Sequence, residues 1–187
     1  MKVTETELPG VVVIEPRVHT DDRGFFLEIF NEDRARRAAA DGLPTAIRQI
    51  NQSRSRQDVL RGLHYQLGRP QGKLITVLHG EIFDVAADVR RGSPTFGQWT
   101  SVQLSADTPR ALWVPPGFAH GFCVLSDRAD VIYACTDVYF PEGDRGVRWD
   151  DPTLGIDWPT REPILSPKDA ALPELLGAGA ELPEWRP

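Results

Sequence analysis

No stretch of the 187-residue chain approaches the about 18 consecutive apolar residues that a membrane-spanning helix requires. Residues 1–10 carry Lys2, Glu5 and Glu7 without an apolar run, so neither export nor membrane insertion is expected. Cysteine is scarce: Cys123 and Cys135 cannot build a disulfide framework and lack metal-ligand spacing, which points to idle or buried thiols in a reducing, cytoplasmic compartment. Positive charge is also in deficit, with 21 Lys and Arg against 27 Asp and Glu and a net charge of −6. That balance excludes a nonspecific nucleic-acid binder but leaves room for a small basic pocket. Finally, no His-x-His pair occurs among the four histidines.

What the chain has in quantity is punctuation. Sixteen glycines and sixteen prolines are too many for a helix bundle and too few for a low-complexity segment. Between them, short runs rich in Val, Ile, Phe, Tyr and Trp recur at residues 11–14, 25–30, 59–65, 74–78, 82–89, 99–104, 111–114, 121–125 and 130–139. Turn signals separate them, among them His79-Gly80, Pro115-Pro116-Gly117 and Pro141-Glu142-Gly143-Asp144. The pattern predicts an all-β sandwich or barrel in one domain over residues 1–187. Helix is expected only at 32–40, behind an Asn31 cap, and in a short stretch at 166–176 interrupted by Pro173. The tail, 177–187, reads as irregular.

The histidines separate by context. His64 lies in Arg61-Gly-Leu-His64-Tyr-Gln, where β alternation puts it on one face with Gly62 and Gln66 while Leu63 and Tyr65 point the other way, with Arg61 at the strand's entry. His120 follows a Pro-Gly turn that delivers it onto the next strand; His79 is a turn residue and His19 lies in a polar loop. The turn Pro115-x-Gly117-x-x-His120 resembles the second motif of the cupin superfamily of jelly-roll β-barrels, whose metal-binding members carry a His-x-His and a Glu in their first motif. Without that pair the usual ligand set is incomplete, so no metal is expected and a metal-dependent cupin oxygenase is the lesser alternative.

A longer ordered series is more specific. The segments Arg61-Gly-Leu-His64-Tyr-Gln, Gly72-Lys73-Leu, Gly80-Glu-Ile-Phe-Asp84-Val-Ala-Ala-Asp88-Val-Arg90, Ser93-Pro-Thr-Phe-Gly97-Gln-Trp99, Pro116-Gly-Phe-Ala-His120-Gly-Phe and Asp151-Pro-Thr-Leu-Gly-Ile-Asp-Trp158-Pro closely resemble the dTDP-4-dehydrorhamnose 3,5-epimerase family, in one order from about residue 8 to 173. The resemblance implies a cofactor-free, metal-free, cupin-type jelly roll with a few short peripheral helices. The implied enzyme inverts C3 and C5 of dTDP-4-keto-6-deoxyglucose on the route to dTDP-L-rhamnose. A hydrogen beside a ketone is acidic because its loss places charge on the carbonyl oxygen, so the reaction needs a base, an acid on the other face and a group to hold the enolate.

By resemblance, His64 is the base, Asp169 orients it, Tyr133 is the acid, and Lys73 and His120 lie near the developing oxyanion. Arg23 and Arg61 match diphosphate-binding positions; Glu28, Gln49 and Asn51 match positions around the thymidine or diphosphate; Asp144 and Lys168 match further substrate contacts. The family forms homodimers, from which some of these contacts come across the interface. Two departures, Ala134 where many members carry lysine and Asp144 where glutamate is common, keep open a single-centre epimerase acting on another 4-keto sugar nucleotide.

Overall fold

The computed structural model describes residues 1–37, 43–177 and 180–186. Its framework is antiparallel. A six-stranded sheet runs in the order β1 (Lys2–Glu5), β2 (Val12–Glu15), β10 (Ala111–Val114), β7 (Lys73–His79), β12 (Arg128–Cys135), β5 (Gln49–Arg56). A five-stranded sheet runs β13 (Asp144–Gly146), β6 (Leu60–Gln66), β11 (Phe118–Val124), β8 (Glu81–Asp88), β9 (Trp99–Ser105), and a separate hairpin joins β3 (Val18–Asp21) to β4 (Gly24–Leu27). The two helices are short, α1 (Glu32–Arg37) and α2 (Pro167–Ala170). The all-β, cupin-type jelly-roll expectation therefore holds.

Alternation along the strands decides which residues meet. Ile75, Val77, Leu112, Val114 and Val131 of the six-stranded sheet share one core with Ile82, Ala86, Phe118, Phe122 and Leu104 of the five-stranded sheet. Residues one position out of phase go elsewhere. Leu63, Tyr65, Val85, Ala87 and Cys123 pack on the outer face of the smaller sheet beneath Leu154, Trp158 and Leu175, while Val12, Leu74, Trp113 and Ala134 pack on the outer face of the larger one with Leu43. Strand β8 is buried on both faces, which is why it reads as a nearly continuous apolar run. The described tail, 180–186, has no strand of its own but is tied down: the Tyr65 hydroxyl donates to the Glu181 carbonyl at 2.8 Å, and the Trp185 amide to the Arg91 carbonyl at 3.0 Å.

Several boundaries differ from expectation. The strand expected at 130–139 ends at Cys135, after which Asp137 pairs with Arg48 and Arg69. The strand expected at 25–30 ends at Leu27. The helix expected at 166–176 stops at Ala170, because Pro173 lacks an N–H and disfavours helical geometry at Leu172 before it. The helix expected at 32–40 is seen from Glu32 to Arg37, and 38–40 lie outside the described residues. Strands β1, β3, β5 and β13 have no counterpart among the expected runs.

Strand β6 carries an irregularity that shapes the interior. His120 of β11 stands opposite His64, yet Phe122 stands opposite Arg61, so three steps along β6 match two along β11. Gly62 occupies the extra position at φ +114°, and a Cβ there would lie 2.7 Å from both the Gly121 Cα and the His120 carbonyl oxygen. Only glycine fits. Gly62→Ala is expected to cost about 2–5 kcal/mol from combined backbone strain and overpacking, and to lower the melting temperature by roughly 5–15 °C. An unchanged melting curve would contradict this account of the bulge.

Candidate active site

The bulge sends both Arg61 and His64 inward, where strict alternation would have turned one of them away. They line a cavity of about 300 Å³ together with His120 and Phe122 of β11, Lys73 of β7, Tyr133 of β12, and Ser166, Lys168 and Asp169 from the α2 segment. Tyr133 packs with the inner core from the six-stranded sheet, and His64 enters from the five-stranded one. The phenol and the imidazole thus come from opposing sheets.

His64 Nε2 lies 2.6 Å from Asp169 Oδ1, an imidazole about one-third exposed against a buried carboxylate. Helix α2 supplies the carboxylate at a fixed point: Ser166 caps it, accepting from the Asp169 amide at 3.0 Å, and Pro167 opens the first turn. Burial would push the Asp169 carboxyl up, but the hydrogen bond and charge of His64, with Ser166 and the Gly62 backbone, hold it below the ordinary aspartate range. A carboxylate kept ionised there orients the ring, leaves Nδ1 to take a proton and stabilises the imidazolium. Asp169→Asn is expected to lower turnover about 10–10²-fold with little change in KM, measured by steady-state kinetics; a rate within twofold of wild type would remove the dyad from the account.

The Tyr133 ring is held edge-on against His120, centroids 6.2 Å apart at 80°, and against Phe122 at 6.3 Å. Its hydroxyl meets Ser53 Oγ at 2.8 Å, and burial pushes the phenol well above its ordinary pKa, so it stays protonated. His120 is itself committed, with Nε2 2.7 Å from Asp84 Oδ1 in a buried pair, and burial pushes the Asp84 carboxyl up against the pull of His120. Lys73 reaches the His64 carbonyl oxygen at 3.4 Å; burial pushes its ammonium down, and Cys135 and Asp144 pull it back up. Among the described residues, no group of three or more His, Cys, Asp or Glu is gathered where it could hold a metal ion.

The cavity lining carries Arg61, Lys73 and Lys168 against Asp169, a local positive excess inside a chain of net charge −6. Arg61 is steadied by its Nε donating to the buried Ser55 hydroxyl at 3.0 Å. At the rim, Asp144 pairs with Lys168 and accepts from the Tyr139 hydroxyl at 2.8 Å. The Tyr139 amide donates to Gln49, which in turn donates to Asn51. Two expected contacts lie elsewhere within the chain. Arg23, on the β3–β4 turn, is 89% exposed and pairs with Asp21. Glu28 pairs with Arg34 and Asn31 and lines a different cavity, of about 550 Å³. Ser53, Ser55, Tyr139 and the Asp84 partner of His120 were not singled out by sequence. The one signal for the serines is their i, i+2 spacing in the polar run 49–56.

A family model described as dTDP-4-dehydrorhamnose 3,5-epimerase matches residues 5–176. The chain belongs to this epimerase family. The dTDP-4-dehydrorhamnose 3,5-epimerase of Pseudomonas aeruginosa is 52% identical over 170 residues, spanning 90% of this chain and 93% of that protein. Among solved structures, the epimerase RmlC from Legionella pneumophila, in complex with dTDP-4-keto-L-rhamnose, is 48% identical with a TM-score of 0.94 and covers 100% of this chain and 99% of that one. ChmJ, a 3′-monoepimerase from Streptomyces bikiniensis in complex with dTDP-quinovose, is 35% identical with a TM-score of 0.85, covering 92% of this chain and 87% of that one. The epimerase fold is thus shared by enzymes whose names specify inversion at two centres and at one.

Proposed function

We propose that the protein is a dTDP-4-dehydrorhamnose 3,5-epimerase that inverts C3 and C5 of dTDP-4-keto-6-deoxy-D-glucose in dTDP-L-rhamnose formation, within one domain over residues 1–187. The observation that carries this reading is the arrival of His64 and Tyr133 in one cavity from opposing sheets. A sugar ring held between them exposes one face to the base and the other to the acid. His64, oriented by Asp169, takes the hydrogen next to the C4 ketone; the charge moves onto the C4 oxygen, which Lys73 and His120 of the cavity lining stabilise. Tyr133 then delivers a proton to the opposite face of the same carbon. Both C3 and C5 flank the ketone, so one pair of groups serves both centres once the ring re-seats.

Arg61 and Lys168 suit the diphosphate, Arg61 through its planar fork. Gln49, Asn51 and Asp144 at the rim suit the rest of the nucleotide. Arg23 and Glu28 lie away from this cavity, and the hairpin that carries Arg23 also exposes Phe25 and Phe26, at 65% and 70%. A large exposed apolar pair on this hairpin favours a homodimer in which the partner's Arg23 and the partner's Glu28 complete the site. The reading includes a cytoplasmic location and no cofactor. No described helix is long and apolar enough to cross a membrane.

Product stereochemistry tests the assignment. With a 4-keto reductase present to trap the product, NMR should show inversion at both C3 and C5. Inversion at one centre alone would assign the protein to the single-centre alternative, which the likeness to ChmJ keeps in view.

A further inference from the structure

Strand β5, the polar edge strand that completes the six-stranded sheet, carries a hydroxyl whose position no part of the proposed reaction has yet used. Ser53 stands opposite Val131 and Asn51 stands opposite Tyr133, so Ser53 and Tyr133 are diagonal neighbours on the inner face of β5 and β12. That diagonal is within reach of an aromatic side chain, and the phenol spans it to place its oxygen 2.8 Å from Ser53 Oγ. The ring itself is fixed by His120 and Phe122, so the one soft coordinate left to the phenol is the direction of its O–H. Ser53 is the only side chain hydrogen-bonded to that oxygen among the described residues.

We propose that Ser53 is a positioning residue for Tyr133, donating its hydroxyl hydrogen to the phenol oxygen so that the phenol proton is left to point at the sugar. The inference rests on Tyr133 being the acid. If the phenol donated to Ser53, its proton would be aimed away from the substrate. With Ser53 as donor, the phenol O–H bond breaks as the new C–H bond forms, and the phenolate left behind keeps the hydrogen bond from Ser53. Ser53 retains its own proton throughout. The phenolate is then reprotonated from solvent while the imidazolium of His64 returns its proton to solvent, so the cycle closes. A donor aimed at an oxygen that gains charge in the transition state acts on turnover more than on binding.

Four variants test it in the full-length protein: Ser53→Thr, Ser53→Val, Tyr133→Phe and the Ser53→Val/Tyr133→Phe double variant. Thr and Val have nearly the same shape and both suit a strand, so the pair isolates the hydroxyl. Ser53→Val should lower kcat for inversion about tenfold with KM within twofold, the effect of one hydrogen bond, and Ser53→Thr should recover most of it. In the Tyr133→Phe background, Ser53→Val should have no further effect, because the group it positions is gone. Equal losses in both backgrounds, a loss shared by Thr and Val, or an unchanged kcat in Ser53→Val would overturn the proposal. If Tyr133→Phe instead inverted its substrate at the wild-type rate, the acid assignment on which it rests would fail first, and visibly so.

Discussion

In a His64→Asn variant, turnover falls about 10³–10⁴-fold and hydrogen at C3 and C5 ceases to exchange with solvent at a rate near that of the wild type. Asparagine ends near the ring's Nδ1 and stops short of Asp169, which His64 reaches through Nε2, so the melting curve of the variant is read beside its turnover to separate lost chemistry from collapse. The other imidazole in the cavity, His120, is buried with Asp84 and stands edge-on to the Tyr133 ring, on the side of the acid. Lys73 is hydrogen-bonded to the His64 backbone, and Asp169 is held ionised behind the ring. A folded His64→Asn protein retaining more than a tenth of wild-type turnover would show that the base lies elsewhere.

Tyr133→Phe should separate two rates that the wild-type enzyme keeps together. Phenylalanine preserves the packing against His120 and Phe122 and removes only the hydroxyl that meets Ser53. With His64 intact, the hydrogen beside the ketone is still removed, and the imidazolium exchanges with solvent and returns a proton to the same face. Exchange therefore continues while inversion drops about 10³-fold. The readout is the ratio of solvent deuterium entering unreacted substrate to product formed, which should rise steeply. If exchange and inversion fell in parallel, Tyr133 would be shaping the cavity and not delivering the proton.

Much of the fold was legible because burial is two-sided or cleanly alternating in most strands. Runs such as 82–89 and 111–114 are apolar apart from the buried Asp84 and Asp88, and β8 and β10 appear within a residue of their expected limits. Strand β5 was not legible for the opposite reason. As an edge strand its outer face is exposed, and its inner face holds Ser53 and Ser55 against polar side chains, so Gln49–Arg56 contains a single apolar residue, Ile50. The hairpin β3–β4 was half legible: Phe25 and Phe26 read as strand residues and are so, exposed in the single chain, while β3 offers no apolar run.

The site divides along the same line. His64, Lys73, Tyr133, His120, Asp169, Arg61 and Lys168 converge on one cavity as the family resemblance implied, although Asp169 comes from 105 residues beyond His64. The inward turn of both Arg61 and His64 escaped a strict alternation rule, because the extra step at Gly62 resets the phase. The serines behind Arg61 and Tyr133 escaped because a hydroxyl in a polar run carries no periodic signal of its own. The chain is acidic overall, yet three of its cations, Arg61, Lys73 and Lys168, line the cavity that holds the His64–Asp169 dyad.

Epimerisation through two successive enolates has one direct signature. When dTDP-4-keto-6-deoxy-D-glucose is turned over in D₂O and the product is read by NMR and mass spectrometry, deuterium should appear at C3 and at C5, with configuration inverted at each. A product that carries solvent deuterium at neither position would contradict proton transfer through His64 and Tyr133 altogether.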